Sequence, residues 1–172
     1  MDFQALALPN GLHIRPSNSS DEAFISQLYQ STRTDLDMID AEQDFIIALK
    51  ESQLEAQTSS YAESFPNAMY FIIEYHDELI GRVILDFGTN EILLVDISLV
   101  PKAQGKGLGS AVIKSFTFCA EQIKAPLKLS VMSDNVQAKR VYAKLGFVLD
   151  EIVPPREYLA YYPKTTSIQV GV

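Results

Sequence analysis

The chain has 172 residues, 47% of them hydrophobic and 21% charged, a balance that suits one globular domain and excludes collagen-like, low-complexity and broadly disordered classes. A net charge of −8 argues against a nucleic-acid binder, whose phosphate contacts need a dominant basic surface, and no apolar run reaches the roughly 18 residues of a membrane span. The single cysteine, Cys119, allows neither an internal disulfide nor a zinc cluster, and the start MDFQALALPNG lacks the basic segment of a secretory leader, so a cytoplasmic protein without a metal is expected.

In chain order, Leu12 to Pro16 reads as a short strand, and Ser20-Asp21-Glu22 opens a helix with acidic groups at its positive end, running to about Ser31 with Phe24, Ile25 and Leu28 on the buried side. After a polar, acidic connection from Ser31 to Asp40, the spacing of Phe45, Ile46, Leu49 and Leu54 predicts a second helix, stopped by Phe65-Pro66-Asn67. Met69 to Tyr75 and Leu79 to Phe87 form a hairpin about His76-Asp77-Glu78. Ile92 to Val100 is nearly all apolar, as expected of a central strand covered on both faces, and Pro101 ends it. From Gly107 to about Ile123 a helix buries Leu108, Val112, Ser115, Cys119 and Ile123, with Ala111 and Phe116 widening the stripe. A strand follows at Leu127 to Met132, then a helix from Asn135 to Leu145 with Ala138, Val141, Tyr142 and Leu145 on one face and Gly146 as its left-handed cap. Phe147 to Val153 and Tyr158 to Tyr162 close the chain as an antiparallel pair. Without a repeat or linker, residues 1–172 read as a single domain with a tail from about 163.

The segment Val100-Pro101-Lys102-Ala103-Gln104-Gly105-Lys106-Gly107-Leu108-Gly109-Ser110 joins a buried strand to a helix N-terminus. Glycines there let successive backbone N–H groups converge on an anion, and the helix dipole adds to the attraction, so a pyrophosphate is a natural guest. A flexible glycine turn accounts for the glycines alone equally well. A P-loop requires Ser or Thr after Lys106, where Gly107 stands. A Rossmann fingerprint requires a third glycine at Ser110, and the 72 residues beyond the strand are too few for two nucleotide-binding halves.

Gln104-Gly105-Lys106-Gly107-Leu108-Gly109 resembles the Q/R-x-x-G-x-G/A signature of the GNAT superfamily of N-acetyltransferases, and Asn135-Val136-Gln137-Ala138-Lys139-Arg140-Val141-Tyr142 resembles its asparagine-to-tyrosine motif. The element order βααβββαβαββ is similar to that superfamily across nearly the whole chain. The resemblance implies an α/β layered fold of acyl-CoA N-acyltransferase type, a mixed and mostly antiparallel sheet flanked by helices. It also implies acetyl-CoA as acyl-donor cosubstrate and transfer to a primary amine by direct attack in a ternary complex. The implied cofactor-binding residues are Leu99, Val100, Gln104, Gly105, Lys106, Gly107, Leu108, Gly109, Ser110, Asn135, Ala138 and Tyr142. Tyr142 would protonate the departing thiolate, which a neutral phenol can do; a half-buried aromatic on the helix stripe would look the same in sequence. A backbone N–H near Val100 would hold the oxyanion. Without turnover, the same loop would serve a GNAT-like module that binds acetyl-CoA or CoA and recognises a partner.

The amine needs a proton acceptor. Asp96 interrupts the apolar run Leu93 to Leu99, where desolvation favours the protonated form, though a structural carboxylate satisfied by neighbouring donors fits equally. Glu91 is the second candidate; Ser133 stands where some peptide-directed relatives carry a glutamate. Lys106 and Lys139 are candidates for cofactor phosphates, and Tyr158, Tyr161 and Tyr162 for the acceptor side. Residues 1–100 hold four basic against 17 acidic side chains, and residues 101–172 ten basic against five acidic. The basic half suits an anionic cofactor, and Asp35, Asp37, Asp40, Glu42 and Asp44 suggest a cationic acceptor, a small molecule or a basic peptide end. The closing strands offer a homodimer interface.

Overall fold

The computed structural model describes residues 8–164, so the expected tail lies, beyond residue 164, outside the described residues. Seven strands and four helices follow in the order read from the sequence: β1 Leu12–Pro16, α1 Glu22–Thr32, α2 Gln43–Ser64, β2 Met69–Tyr75, β3 Glu78–Phe87, β4 Ile92–Leu99, α3 Leu108–Ile123, β5 Leu127–Met132, α4 Val136–Lys144, β6 Val148–Val153 and β7 Arg156–Tyr161. They form one mixed sheet in the order β1-β2-β3-β4-β5-β7-β6. Every pairing is antiparallel except β4 with β5. This is the mixed α/β architecture expected. No helix among the described residues is long and apolar enough to cross a membrane.

Alternation decides what each face of the sheet receives. Phe71, Ile73, Val83, Leu85, Ile92 and Leu94 pack in one buried cluster with Val112, Ile113 and Phe116 of α3 and with Leu127, Leu129 and Val131 of β5. Ile72 and Ile84, also fully buried, point to the opposite face, where α1 and α2 lie. Gly81 of β3 lets β4 approach closely, since a Cβ there would collide with the Ser98 carbonyl and the Leu99 side chain.

β4 departs from the expected strand. Its partner register jumps from Ile84↔Asp96 to Leu85↔Leu94, leaving Val95 as an extra residue. The bulge breaks the alternation, so that Leu94 stays on the α3 face while Asp96 turns to the α1 and α2 face. The pairing with β5 covers only Ile92, Leu93 and Leu94. Beyond them the strands part, and Val95 to Val100 are half-buried rather than covered on both faces.

Two further corrections concern packing. In α2 only Ile46 of the expected stripe is buried; Leu49 and Leu54 are half-buried and Phe45 is 58% exposed, while Lys50 takes a buried place by donating to Asp37 at 2.8 Å and to the Gln30 carbonyl at 3.0 Å. In α3, Ile123 is exposed at the helix end. β6 is an edge strand whose residues are all exposed.

The expected acidic helix start is more specific than a dipole effect. Asn18 caps a short 3₁₀ turn at Ser19–Asp21 that leads into α1, forming a capping box with Asp21. Asp21 is buried and receives both Arg15 Nη atoms, at 2.7 and 2.8 Å, while Arg15 Nε donates to Glu74 at 2.6 Å. The Arg15 hydrogen bonds hold the Asp21 carboxyl below its ordinary value of 3.8. A depressed folded pKa means the stabilisation is present above the unfolded value and is lost as pH falls through the folded one. Asp21→Asn is expected to cost about 1–3 kcal/mol at neutral pH by removing the charge-assisted bonds to both Arg15 Nη atoms, Glu74 remaining on Nε. In urea melts from pH 7 to 2, the gap between wild type and variant should close on the acid side.

Candidate functional site

The loop between β4 and α3 starts from Pro101, which cannot extend the ladder and turns the chain into one 3₁₀ turn, Pro101–Ala103. Gln104 Nε2 donates to the Leu99 carbonyl at 2.8 Å, tying the loop to the strand end. Gly105 and Gly107 then take left-handed φ values of +71° and +79°, and a Cβ at either would meet nothing within 4 Å. The empty space at those positions is the inside of a concavity, so the glycines are there for backbone conformation and for access by a guest. The N–H groups of Leu108, Gly109 and Ser110 belong to the first turn of α3, whose first bond is Ala111 N–H to the Gly107 carbonyl at 2.9 Å, and they remain available to an anion. A pyrophosphate fits this cradle.

The cradle opens into a cavity of about 640 Å³. Its walls bring together most of the predicted cofactor set: Leu99, Gln104, Gly105, Gly107, Leu108, Gly109, Ser110, Asn135, Ala138 and Tyr142. Val100 and Lys106 are not part of the wall. Val100 N–H donates to the Ile80 carbonyl at 2.8 Å, so it is not the free donor near the strand end. Because successive residues present their backbone groups to opposite edges, Ile97 and Leu99 turn theirs toward the gap that β5 vacates. Asn135 Oδ1 caps α4 by accepting from Ala138 N–H at 3.1 Å, which leaves its amide nitrogen to the cavity. Lys139 lies elsewhere, held by Glu157 at 2.9 Å and the Ser133 carbonyl at 2.7 Å.

Tyr142 reaches the cavity from α4 with its ring against Phe147, centroids 5.7 Å apart. Burial first, and then the Asp96 charge, push its phenol above the ordinary value of 10.0, so it stays protonated at neutral pH. Asp96 lies on the other side of the sheet, carried there by the Val95 bulge. It is ion-paired: Arg82 Nη2 donates to Oδ2 at 2.8 Å and to Gln57 Oε1 at 3.1 Å. Asp96 does not line the cavity, although Ile97, Ser98 and Leu99 beside it do, and among the described residues Arg82 Nε is buried without a hydrogen-bond partner. Of the two readings of Asp96, a desolvated acceptor and a carboxylate satisfied by a neighbouring donor, the Arg82 pair matches the second. Glu91 does not join it. It binds Lys128 at 3.0 Å at the opposite end of β4, about 25 Å along the strand from Leu99.

The site also includes residues the motifs did not indicate. Thr32 of α1, Ile97, Ser98, Ile113 and Val141 line the cavity. Arg82 was detectable as a charge interrupting the apolar run Ile80 to Leu85, next to the strand that Asp96 interrupts in the same way. Of the tyrosines considered for the acceptor side, Tyr161 donates to Glu121 at 2.7 Å and Tyr162 to Asp150 at 2.9 Å, leaving Tyr158 half-exposed on the face that carries Ser130. Asp35 is held by Arg33 at 2.9 Å and Asp37 by Lys50 at 2.8 Å, so part of the acidic connection is internally neutralised.

A sequence profile described as the acetyltransferase (GNAT) family matches residues 25–147. Among solved structures, the chain is similar to PaiA N-acetyltransferase from Thermoplasma acidophilum in complex with coenzyme A, with 14% identity, a TM-score of 0.66 and coverage of 88% of this chain and 98% of that one. It is also similar to a spermidine N-acetyltransferase chimera from Vibrio cholerae and hSSAT, with 19% identity, a TM-score of 0.63 and coverage of 89% and 96%. The ribosomal-protein-S18-alanine N-acetyltransferase from Escherichia coli aligns at 16% identity with a TM-score of 0.62, covering 94% and 99%. A search of curated protein sequences gave no significant match.

The Arg82–Asp96 pair makes a stability prediction. Arg82→Met leaves a half-buried carboxylate without its cation and is expected to cost about 3–5 kcal/mol in chemical denaturation. Adding Asp96→Leu should recover more than half of that loss; a double variant no more stable than the single one would show that the pair is not what holds β3 and β4 to α2.

Proposed function

The chain belongs to the acetyltransferase (GNAT) family, and we propose that it is an N-acetyltransferase that transfers the acetyl group of acetyl-CoA, the family's acyl donor, to a primary amine by direct attack in a ternary complex. The observation that carries this reading is that one cavity is lined by the glycine cradle, by Ile97 to Leu99 of β4 and by Tyr142. Bound there, the cosubstrate supplies a thioester whose carbonyl carbon accepts an amine.

The residues divide the work by position. The N–H groups of Gly105 to Ser110 hold the pyrophosphate, and the β4 edge at Ile97 and Leu99, whose Leu99 carbonyl already accepts from Gln104, holds the pantetheine arm, with Leu99 N–H as the oxyanion donor. The Asn135 amide nitrogen faces the same arm. The amine enters from the α1 and α2 face through the gap between β4 and β5, where Asp96 Oδ1 orients it and takes its proton, directly or through water. A carbon–nitrogen bond forms as the carbon–sulfur bond breaks, and the Tyr142 proton goes to the leaving sulfur. Glu91 has no part in this scheme.

Calorimetric titration with acetyl-CoA tests the first requirement. Wild type should bind in the micromolar range, and Gly107→Glu, which puts a carboxylate into the cradle at a left-handed φ, should lose at least about a hundredfold in affinity while its melt stays cooperative. A folded wild type that does not bind acetyl-CoA would overturn the reading. Binding without turnover on any amine would favour the non-catalytic module instead.

Tyr142→Phe tests the acid. It is expected to lower kcat about a hundredfold with acetyl-CoA affinity nearly unchanged, because the ring and its packing on Phe147 remain. Since the phenol lies above its ordinary value, the wild-type alkaline limb assigned to Tyr142 should fall above pH 10.0. Equal losses of binding and turnover in the variant would make Tyr142 a packing residue.

A further inference from the structure

Among the described residues, every one that lines the cavity is uncharged at neutral pH. Two of them belong to its acceptor side. Ser98 stands opposite Arg82 in the β3–β4 ladder and so shares its sheet face, and Thr32 is the last residue of α1, which packs against β3 and β4 on that face. The remaining wall comes from the glycine loop, from α3 and α4, and from Ile97 and Leu99, which pack against the core cluster on the other face. The cavity therefore passes through the sheet, and two hydroxyls bound its acceptor end.

Thr32 Oγ1 donates to the Tyr29 carbonyl at 3.0 Å, which uses its proton and leaves only lone pairs for a guest. The charged groups next to the wall are already held. Arg33, beside Thr32, binds Asp35 and the Tyr29 hydroxyl; Asp96, two residues before Ser98, binds Arg82; and Lys139 of α4 binds Glu157. Burial keeps the Tyr142 phenol neutral. An ammonium moved against such a wall loses hydration without gaining a counter-charge. A free amine loses far less, and two hydroxyl oxygens match its two N–H donors.

We propose that the acceptor is a weakly basic primary amine, a peptide α-amine or an aromatic amine, that enters as the free base and is received by Thr32 Oγ1 and Ser98 Oγ. An α-amine has an ordinary pKa of about 8 and a lysine side chain one of about 10.4, so at about pH 7.5 the neutral fraction of the first is larger by roughly two hundredfold. Lysine side chains and polyamines are disfavoured accordingly. The nitrogen bonds to the thioester carbon as the carbon–sulfur bond breaks. One N–H proton leaves through water past Ser98 toward Asp96, and the Tyr142 proton goes to sulfur. This assignment rests on the acetyltransferase reading above, but its test does not depend on turnover.

The experiment is calorimetry on full-length protein saturated with CoA, from about pH 6.5 to about pH 9.5. The amines are alanyl-alanine amide, 4-methylaniline, Nα-acetyllysine amide and spermidine. At about pH 7.5 one of the first two should bind at least about fiftyfold more tightly than either of the others, and whichever leads names the source of the amine. Affinity should follow each amine's own titration: flat for 4-methylaniline, falling below about pH 8 for the peptide, and still rising at the alkaline end for the lysine derivative. Thr32→Val and Ser98→Ala should each weaken binding of the favoured amine about threefold to tenfold, with CoA affinity unchanged. One pH profile shared by all four amines, tighter binding of spermidine or the lysine derivative, no amine binding, or full affinity in both variants would each overturn the proposal. Retained CoA binding in those cases leaves the acetyltransferase reading intact, whereas failure of CoA itself to bind removes that reading and this one together.

Discussion

The site depends on one interruption of hydrogen bonding, the parting of β4 from β5 after three paired residues. A parallel pair that stayed closed would bury the polar edge of Ile97 and Leu99 in a ladder and leave no passage between the two faces of the sheet. The bulge at Val95 adds local twist where the strands begin to diverge. Each strand keeps its other partner: β4 runs beside β3 to Leu99, and β5 beside β7 to Met132. The gap is therefore held open by two intact hairpin-like ladders rather than by a flexible segment. On that edge the Leu99 carbonyl is met by Gln104 from the following loop, which takes part of the place that β5 has left.

The same bulge sets the electrostatics. Without it, Asp96 would follow Leu94 onto the α3 face and lie in the apolar cluster, where an ionised carboxylate has no compensation. Turned to the other face, it meets Arg82, itself anchored by Gln57. Arg82 thus links the β4 carboxylate to Gln57 of α2. Tyr142 approaches from the opposite face, and the Asp96 charge opposes its ionisation. A phenol and a carboxylate thus sit on opposite sides of the sheet, and the charge of one still reaches the other.

Much of this architecture was legible in the residues. Alternating apolar runs, Pro101, Gly107 and Gly146 marked the ends of elements, and the glycine loop with the Asn135 to Tyr142 helix indicated both walls of the cofactor cavity. What was not legible arose from interactions between segments distant in sequence. The bulge is a property of the β3–β4 register, which the apolar run Ile92 to Val100 does not carry, so the strand read as covered throughout. The burial of Lys50 depends on meeting Asp37 and the Gln30 carbonyl across the α1–α2 connection, which spacing within α2 does not reveal. Val100 seemed available at the strand end because its Ile80 partner comes from the neighbouring hairpin.

Charge was the least transferable signal. The sum over the first hundred residues is strongly acidic, yet a sum has no geometry, and screening confines an exposed charge to about 8 Å at physiological ionic strength. Asp21, Asp35, Asp37 and Asp96 are each bound to a cation at 2.9 Å or less, so four of the acids that make the segment look like a trap for cations are already neutralised locally.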